Sequence, residues 1–260
     1  MNAGTQATDS GKKTTVIIGI VYRGGLFAEH MQRQKNVSLA VQKLYFIVAV
    51  NFSFVLTTAQ PAVRNEPRHH NVFENDYIRI LDVFVAPHDT TQFHIHSTPS
   101  VFITLTKTAT GSQLTGGQPV KDISVAGYSW YDSLVTPRIH RVWNEDSTWF
   151  HPMDIELIAG KPHSSQPVLQ NAFLQLFFNA PLANGYHLQL QTGKNIELPV
   201  SAAGYLLLSS GDAIIEYKVN DYIQHRSMKS GHYLWIEPGK LFLMTSDGKI
   251  PAGFLLLQLK

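Results

Sequence analysis

Thr90-Thr-Gln-Phe-His-Ile-His-Ser97 is followed by Gly127-Tyr-Ser-Trp-Tyr-Asp-Ser-Leu-Val-Thr-Pro137-Arg-Ile-His140-Arg-Val-Trp-Asn144, and the reading of the fold turns on this pair of stretches. In the first, His94 and His96 stand two apart. Residues two apart on a strand share a face, so both imidazoles are expected to enter one cavity. Imidazole is the commonest protein metal ligand, and two at adjacent inward positions make half of a tetrahedral or octahedral site. The chain has 12 histidines, so one His-x-His alone is a weak signal. The second stretch strengthens it: a Gly opens a strand, a Pro marks a turn, a lone His follows, and an Asn comes four residues later.

Outward from this centre the pattern is period two, the period of strands. Tyr77 to Val85 and Val101 to Thr106 are β-branched and aromatic runs, while Thr110 to Gly117 reads as a loop. Ile139 to Val142 and Met153 to Ile158 complete a first set, and residues 161–167 read as a linker. The rhythm then returns at Ala172 to Asn179, His187 to Gln191, Tyr205 to Ser209, Ala213 to Val219, Tyr233 to Ile236, Leu241 to Met244 and Gly253 to Leu259. No sustained helical period interrupts it. A charged fraction of 15%, with 18 Gly and 13 Pro, suits strands joined by tight turns. The expectation is an all-β protein.

From Gln60 onward, 15 Lys and Arg face 17 Asp and Glu. No basic stripe remains to neutralise phosphates, which argues against a nucleic-acid partner. The absence of cysteine excludes disulfides, thiolate metal sites, a cysteine nucleophile and a lipoprotein-type anchor.

The ordered pair of histidine stretches resembles the two signature motifs of the cupin superfamily. The resemblance implies two tandem double-stranded β-helix (jelly-roll) barrels over residues 66–160 and 168–260. It implies a divalent metal on His94, His96 and His140, with Asn144 as the closing Asn of the second motif. The chain departs from the family pattern twice. The Gly expected before the first motif is replaced near Pro87-His88-Asp89, and the motif Glu is replaced by Ser100 or Val101. Three neutral imidazoles without a carboxylate resemble the three-histidine iron cupins, such as the thiol and β-diketone dioxygenases. The later module carries a fainter copy, with Pro199 and Ser201 where the His pair would stand and apolar Phe242 near the position of the third His.

The period of two extends the cavity wall to Gln92, Ser100 and Phe102 from the first motif, and to Arg138 and Asn144 from the second. Gln92 is a candidate weak fourth ligand, Arg138 a partner for an anionic substrate group, and Ser100 and Asn144 candidate substrate contacts. His69, His70 and His88 read as surface or turn residues. No general base is evident, so no catalytic residue is assigned. Two functions stay open: a mononuclear Fe(II) oxygenase acting on a small molecule, and a non-catalytic cupin that binds a ligand or metal. Zn, Mn and Cu are the other occupants considered, and a protein loaded outside the cytoplasm favours Zn or Cu over Fe. Cupins often pair through edge strands, and by that analogy a homodimer is one assembly open to this chain.

A basic stretch from Met31 to Lys43 precedes an apolar run from Leu44 to Leu56 and small residues before Gln60. This is the pattern of a signal peptide over 31–59, and the run is too short for a stable membrane anchor. Export is the expectation, with residues 1–30 upstream of a leader that starts at Met31.

Overall fold

The computed structural model describes residues 60–159 and 165–260. The expected leader, 1–59, and residues 161–164 of the expected linker lie outside the described residues. Apart from a 3-10 turn at Val63–Asn65, every regular element among the described residues is a strand.

The first nine strands are β1 (His69–Glu74), β2 (Ile78–Val83), β3 (His94–His96), β4 (Ser100–Thr104), β5 (Thr108–Leu114), β6 (Val120–Ser124), β7 (Ser129–Asp132), β8 (Arg138–Asn144) and β9 (Pro152–Leu157). They form two antiparallel sheets, ordered β1-β2-β9-β4-β7 and β3-β8-β5-β6. The next nine are β10 (Leu174–Asn179), β11 (Ala183–Leu190), β12 (Asn195–Leu198), β13 (Tyr205–Ser209), β14 (Ala213–Val219), β15 (Tyr222–Met228), β16 (Tyr233–Ile236), β17 (Phe242–Ser246) and β18 (Ala252–Leu259). Their sheets run β10-β11-β18-β13-β16 and β12-β17-β14-β15, which is the first order with nine added to every label. Even the irregularities repeat: a register shift falls between Asn71 and Phe73 in one half and between Leu176 and Phe178 in the other. The motif glycines Gly127 and Gly231 stand just before β7 and β16, with φ of 81° and 84°, a backbone that disfavours any residue with a Cβ.

The stretch from Thr110, expected as a loop, is instead the body of β5 as far as Leu114. Its Gly111 pairs with Trp143 on β8, and the indole lies so close that a Cβ would meet it at 2.1 Å. The Gly signals close approach of an aromatic side chain here, not a turn.

The two barrels belong to one compact unit and bury very different interiors. The second is filled by apolar residues, among them Tyr186, Leu188, Ile196, Leu198, Leu207, Phe242, Met244 and Leu256. Inside the first, the apolar cluster is only Val83, Val85 and Phe150 with Val142 against it. Phe102 and Trp130 also face the histidines, while other apolar strand residues face the second barrel. Ile78, Ile80, Val101, Ile103, Ile155 and Leu157 pack with Leu206, Leu208, Leu255, Leu257 and Leu259 in one continuous core. The outer faces of two five-stranded sheets thus bury each other, and the first barrel is left free to hold polar groups inside.

Candidate metal centre

β3 is only three residues long, and its pairing aims both ends inward. His94 lies opposite His140 on β8, and His96 lies opposite Arg138. On the other side Ile95 donates its N–H to Pro61 O at 2.9 Å, so the short strand is held from both edges. His94 and His96 are 1% and 2% exposed, and His140 is partly buried. The ring centroids form a nearly equilateral triangle, with His94–His96 at 4.9 Å and both other pairs at 4.8 Å. Nε2 of His96 is 3.0 Å from Nε2 of His94 and 3.0 Å from Nε2 of His140.

The tautomer of His94 follows from what lies behind its ring. His94 Nδ1 is 2.8 Å from the carbonyl oxygen of Gln92, which only accepts, so Nδ1 carries the proton and Nε2 is a bare lone pair. His96 Nδ1 faces Asp154 Oδ2 at 3.3 Å, out of line for a hydrogen bond. With His96 in the same tautomer two lone pairs stand 3.0 Å apart, an arrangement that a cation between them relieves. Burial, with the charges of His69 and His96 adding to it, holds His94 down at about 4. Burial and the neighbouring His96, His94 and Arg138 hold His140 down at about 2. Two ligands about 2.1 Å from a metal at adjacent octahedral positions are about 3.0 Å apart. The donor set therefore fits a divalent ion.

Sequence reasoning placed His69 on the surface. It is 8% exposed, its ring is 4.8 Å from that of His94, and the ligand atoms of His69, His94 and His96 lie within 4.8 Å of one another. Behind it stands Glu66, whose Oε2 is 2.9 Å from His69 Nδ1. Burial raises the Glu66 carboxyl, but the His69 contact and the backbone N–H groups of Arg68 and Gln92 outweigh this and hold it at about 2. Glu66 and Asp154, from parts of the chain outside the first motif, back two of the imidazoles. An outer carboxylate fixes a ligand's orientation and raises its basicity.

The pocket beside the histidines is about 80 Å³, lined by Phe102, Trp130, Val142 and Phe150 with Asp154 and Arg138. Phe102 and Trp130 stack at 5.0 Å. A larger groove of about 570 Å³, between Arg68, Phe84 and Trp149, is lined by none of these four histidines.

No protein-family model and no curated protein matches this sequence. Solved structures do match in shape. A cupin 2 conserved barrel domain protein from Leptotrichia buccalis aligns with a TM-score of 0.52 at 10% identity, over 81% of this chain and 95% of that one. The fold is that of the cupins. YhaK from Escherichia coli aligns at 0.50 with 15% identity, over 73% of this chain and 90% of that one. Salicylate 1,2-dioxygenase from Pseudaminobacter salicylatoxidans aligns at 0.52 with 8% identity, over 75% of this chain and 76% of that one.

Within the cupin barrel the remaining candidates take different places. The Gln92 side chain is exposed; the residue serves through its carbonyl on His94 and its N–H on Glu66, so the expected weak fourth ligand is corrected. Ser100 is fully buried, but its Oγ donates to Thr98 O at 3.0 Å and it does not line the cavity. Asn144 is a brace. Its Nδ2 donates to Val85 O and Thr148 O at 3.1 and 2.7 Å, and its Oδ1 accepts from Asp146 N. Arg138 does line the cavity, with its guanidinium over Phe102 at 5.4 Å and Nη1 on Asp132 at 2.6 Å, while its buried Nε has no partner. In the second barrel the positions facing β17 across the short strand are Ile196 and Leu198, opposite Met244 and Phe242. Pro199 and Ser201 follow β12 and are not the counterparts of the His pair. Ser201 Oγ caps the turn by accepting from the N–H groups of Ala203 and Gly204.

Proposed function

We propose that this protein is a metal-binding cupin whose first barrel holds one divalent cation on His94, His96 and His140 and uses it as a mononuclear oxygenase on a small organic anion. The carrying observation is the convergence of three Nε2 atoms, that of His96 3.0 Å from each of the other two, with the His94 proton drawn to the far side of its ring by Gln92 O. His69 stands beside them as a fourth imidazole. The bound cation supplies Lewis acidity and, as Fe(II), redox chemistry toward O₂; Zn, Mn or Cu supply less or none of the latter. The chain's own part is positional. Gln92 O sets the His94 tautomer, the Phe102–Trp130 wall excludes water, and Asp132 orients Arg138 so that its free Nε meets an anionic group. The similarly folded salicylate dioxygenase has been solved as an adduct with gentisate, which supports a ligand of this class.

Metal content should be measured after loading wild type, His94→Ala, His96→Ala and His140→Ala with Fe(II) or Zn(II), with His88→Ala as the control on an exposed turn. Loss of the metal in the three site variants alone is the expected result, and equal content in all five proteins removes the site. A non-catalytic binding role is the second reading, favoured by the cavity's small volume of about 80 Å³. Metal retention without O₂ uptake on a panel of small organic acids selects it.

Export belongs to the same proposal and is supported by the sequence at 31–59. Amino-terminal sequencing of protein from its native host should find Gln60 or pyroglutamate; an intact 1–59 overturns it.

A further inference from the structure

β9 runs Met153-Asp-Ile-Glu-Leu157, apolar and acidic residues in alternation. The apolar set faces the partner barrel, which turns the acids into the first barrel's interior. One of them, Glu156, is matched by Arg79. The other is not. Asp154 is 2% exposed, neither of its oxygens accepts a hydrogen bond, and Oδ2 stands 3.3 Å from His96 Nδ1. His96 Nδ1 is likewise buried without a hydrogen-bond partner, so the two groups face each other at ion-pair distance but out of line. Nothing in the fold requires a carboxylate here. The last strand of the second barrel, which carries no histidine cluster, offers Phe254 and Leu256 to its interior instead. A buried carboxylate without a hydrogen bond destabilises a protein unless it acts on something else.

We propose that Asp154 is the positioning residue of the metal centre: its carboxylate keeps the His96 proton on Nδ1, points the bare Nε2 at the cation, and supplies charge that the first motif lacks. The inference rests on the reading of His94, His96 and His140 as metal ligands. It follows that Asp154 works against the metal-free fold and for the metal-loaded one. A residue with a purely structural role moves both states the same way.

The test titrates Co²⁺ and Zn²⁺ into the full chain as wild type, Asp154→Asn and Asp154→Leu, with affinity read by competition against a chromophoric chelator. Asp154→Asn should raise the dissociation constant about 10–100-fold and shift the visible bands of the Co²⁺ form. The metal-free melting temperature should not fall in Asp154→Asn, where a neutral but still unpartnered polar group replaces the carboxylate, and should rise in Asp154→Leu, where charge and polar group are both gone. Co²⁺ affinity within twofold of wild type in both variants overturns the inference while leaving the metal site intact. A fall in the metal-free melting temperature of both variants makes Asp154 a folding residue and overturns it too. Failure of the wild type itself to bind either ion overturns the metal-site reading, and this inference with it.

Discussion

Lowering the pH on the metal-stripped protein should destabilise it in a window that belongs to the buried histidines. His94 is held at about 4 in the fold against an ordinary value of 6.5. The unfolded chain therefore binds a proton that the folded chain refuses, and stability falls as pH drops below about 6.5 toward the folded value. Between about pH 7 and pH 4.5 this single residue removes about 2–3 kcal/mol, or about 5–10 °C of melting temperature for a fold of about 200 residues. His140, held at about 2, adds to the loss in the same direction. The carboxylate behind His69 titrates elsewhere. Glu66 is held at about 2 against 4.5, so its contribution is fully present above about 4.5 and is lost only as pH falls from there toward 2. Above about pH 4.5 the loss belongs to the histidines; below it the losses from Glu66 and His140 overlap. Urea titrations at a series of pH values, with chelator present, measure the slope in wild type and in His94→Gln. The expected result is a steep loss between pH 7 and 4.5 that is shallower in the variant. A flat profile over that range, or the same slope in both proteins, refutes the account of His94 as a buried neutral imidazole.

Asn144→Ala removes three hydrogen bonds to buried or partly buried backbone and should cost about 2–4 kcal/mol in denaturant unfolding. Co²⁺ affinity should stay within twofold; a selective loss of ligand or metal binding would return Asn144 to the site. Leu257, fully buried between the two sheets, should cost about 2–5 kcal/mol when changed to Ala, again with metal binding retained. A loss below about 1 kcal/mol would show that the barrels do not depend on that shared core.

By itself, the amino-acid sequence determined the strand class and the pairing of His94 with His96 by local rules, while their partnership with His140 was implied by the resemblance to the cupin motifs. Side chains two apart on a strand share a face whatever surrounds them, and the Gly-Pro-His-Asn spacing places the later His on its own strand. Gln92 was misread because the same rule was extended past the end of β3, where the backbone leaves the sheet and only its carbonyl stays near His94. Asn144 keeps its motif position, but what its amide bonds to is set by the Val85 and Thr148 backbone, 59 and 4 residues away. His69 and Glu66 gave no periodic signal: Glu66 lies in a bend before β1, and alternation alone cannot tell inward His69 from exposed His70. The alternation in Met153-Asp-Ile-Glu-Leu157 was fully legible, yet the sense of its two faces was not. In a half-buried sheet the acids would face water. Here a second barrel covers the apolar side, so the acids turn inward, and only the docking of two sheets decided that a carboxylate would stand behind His96.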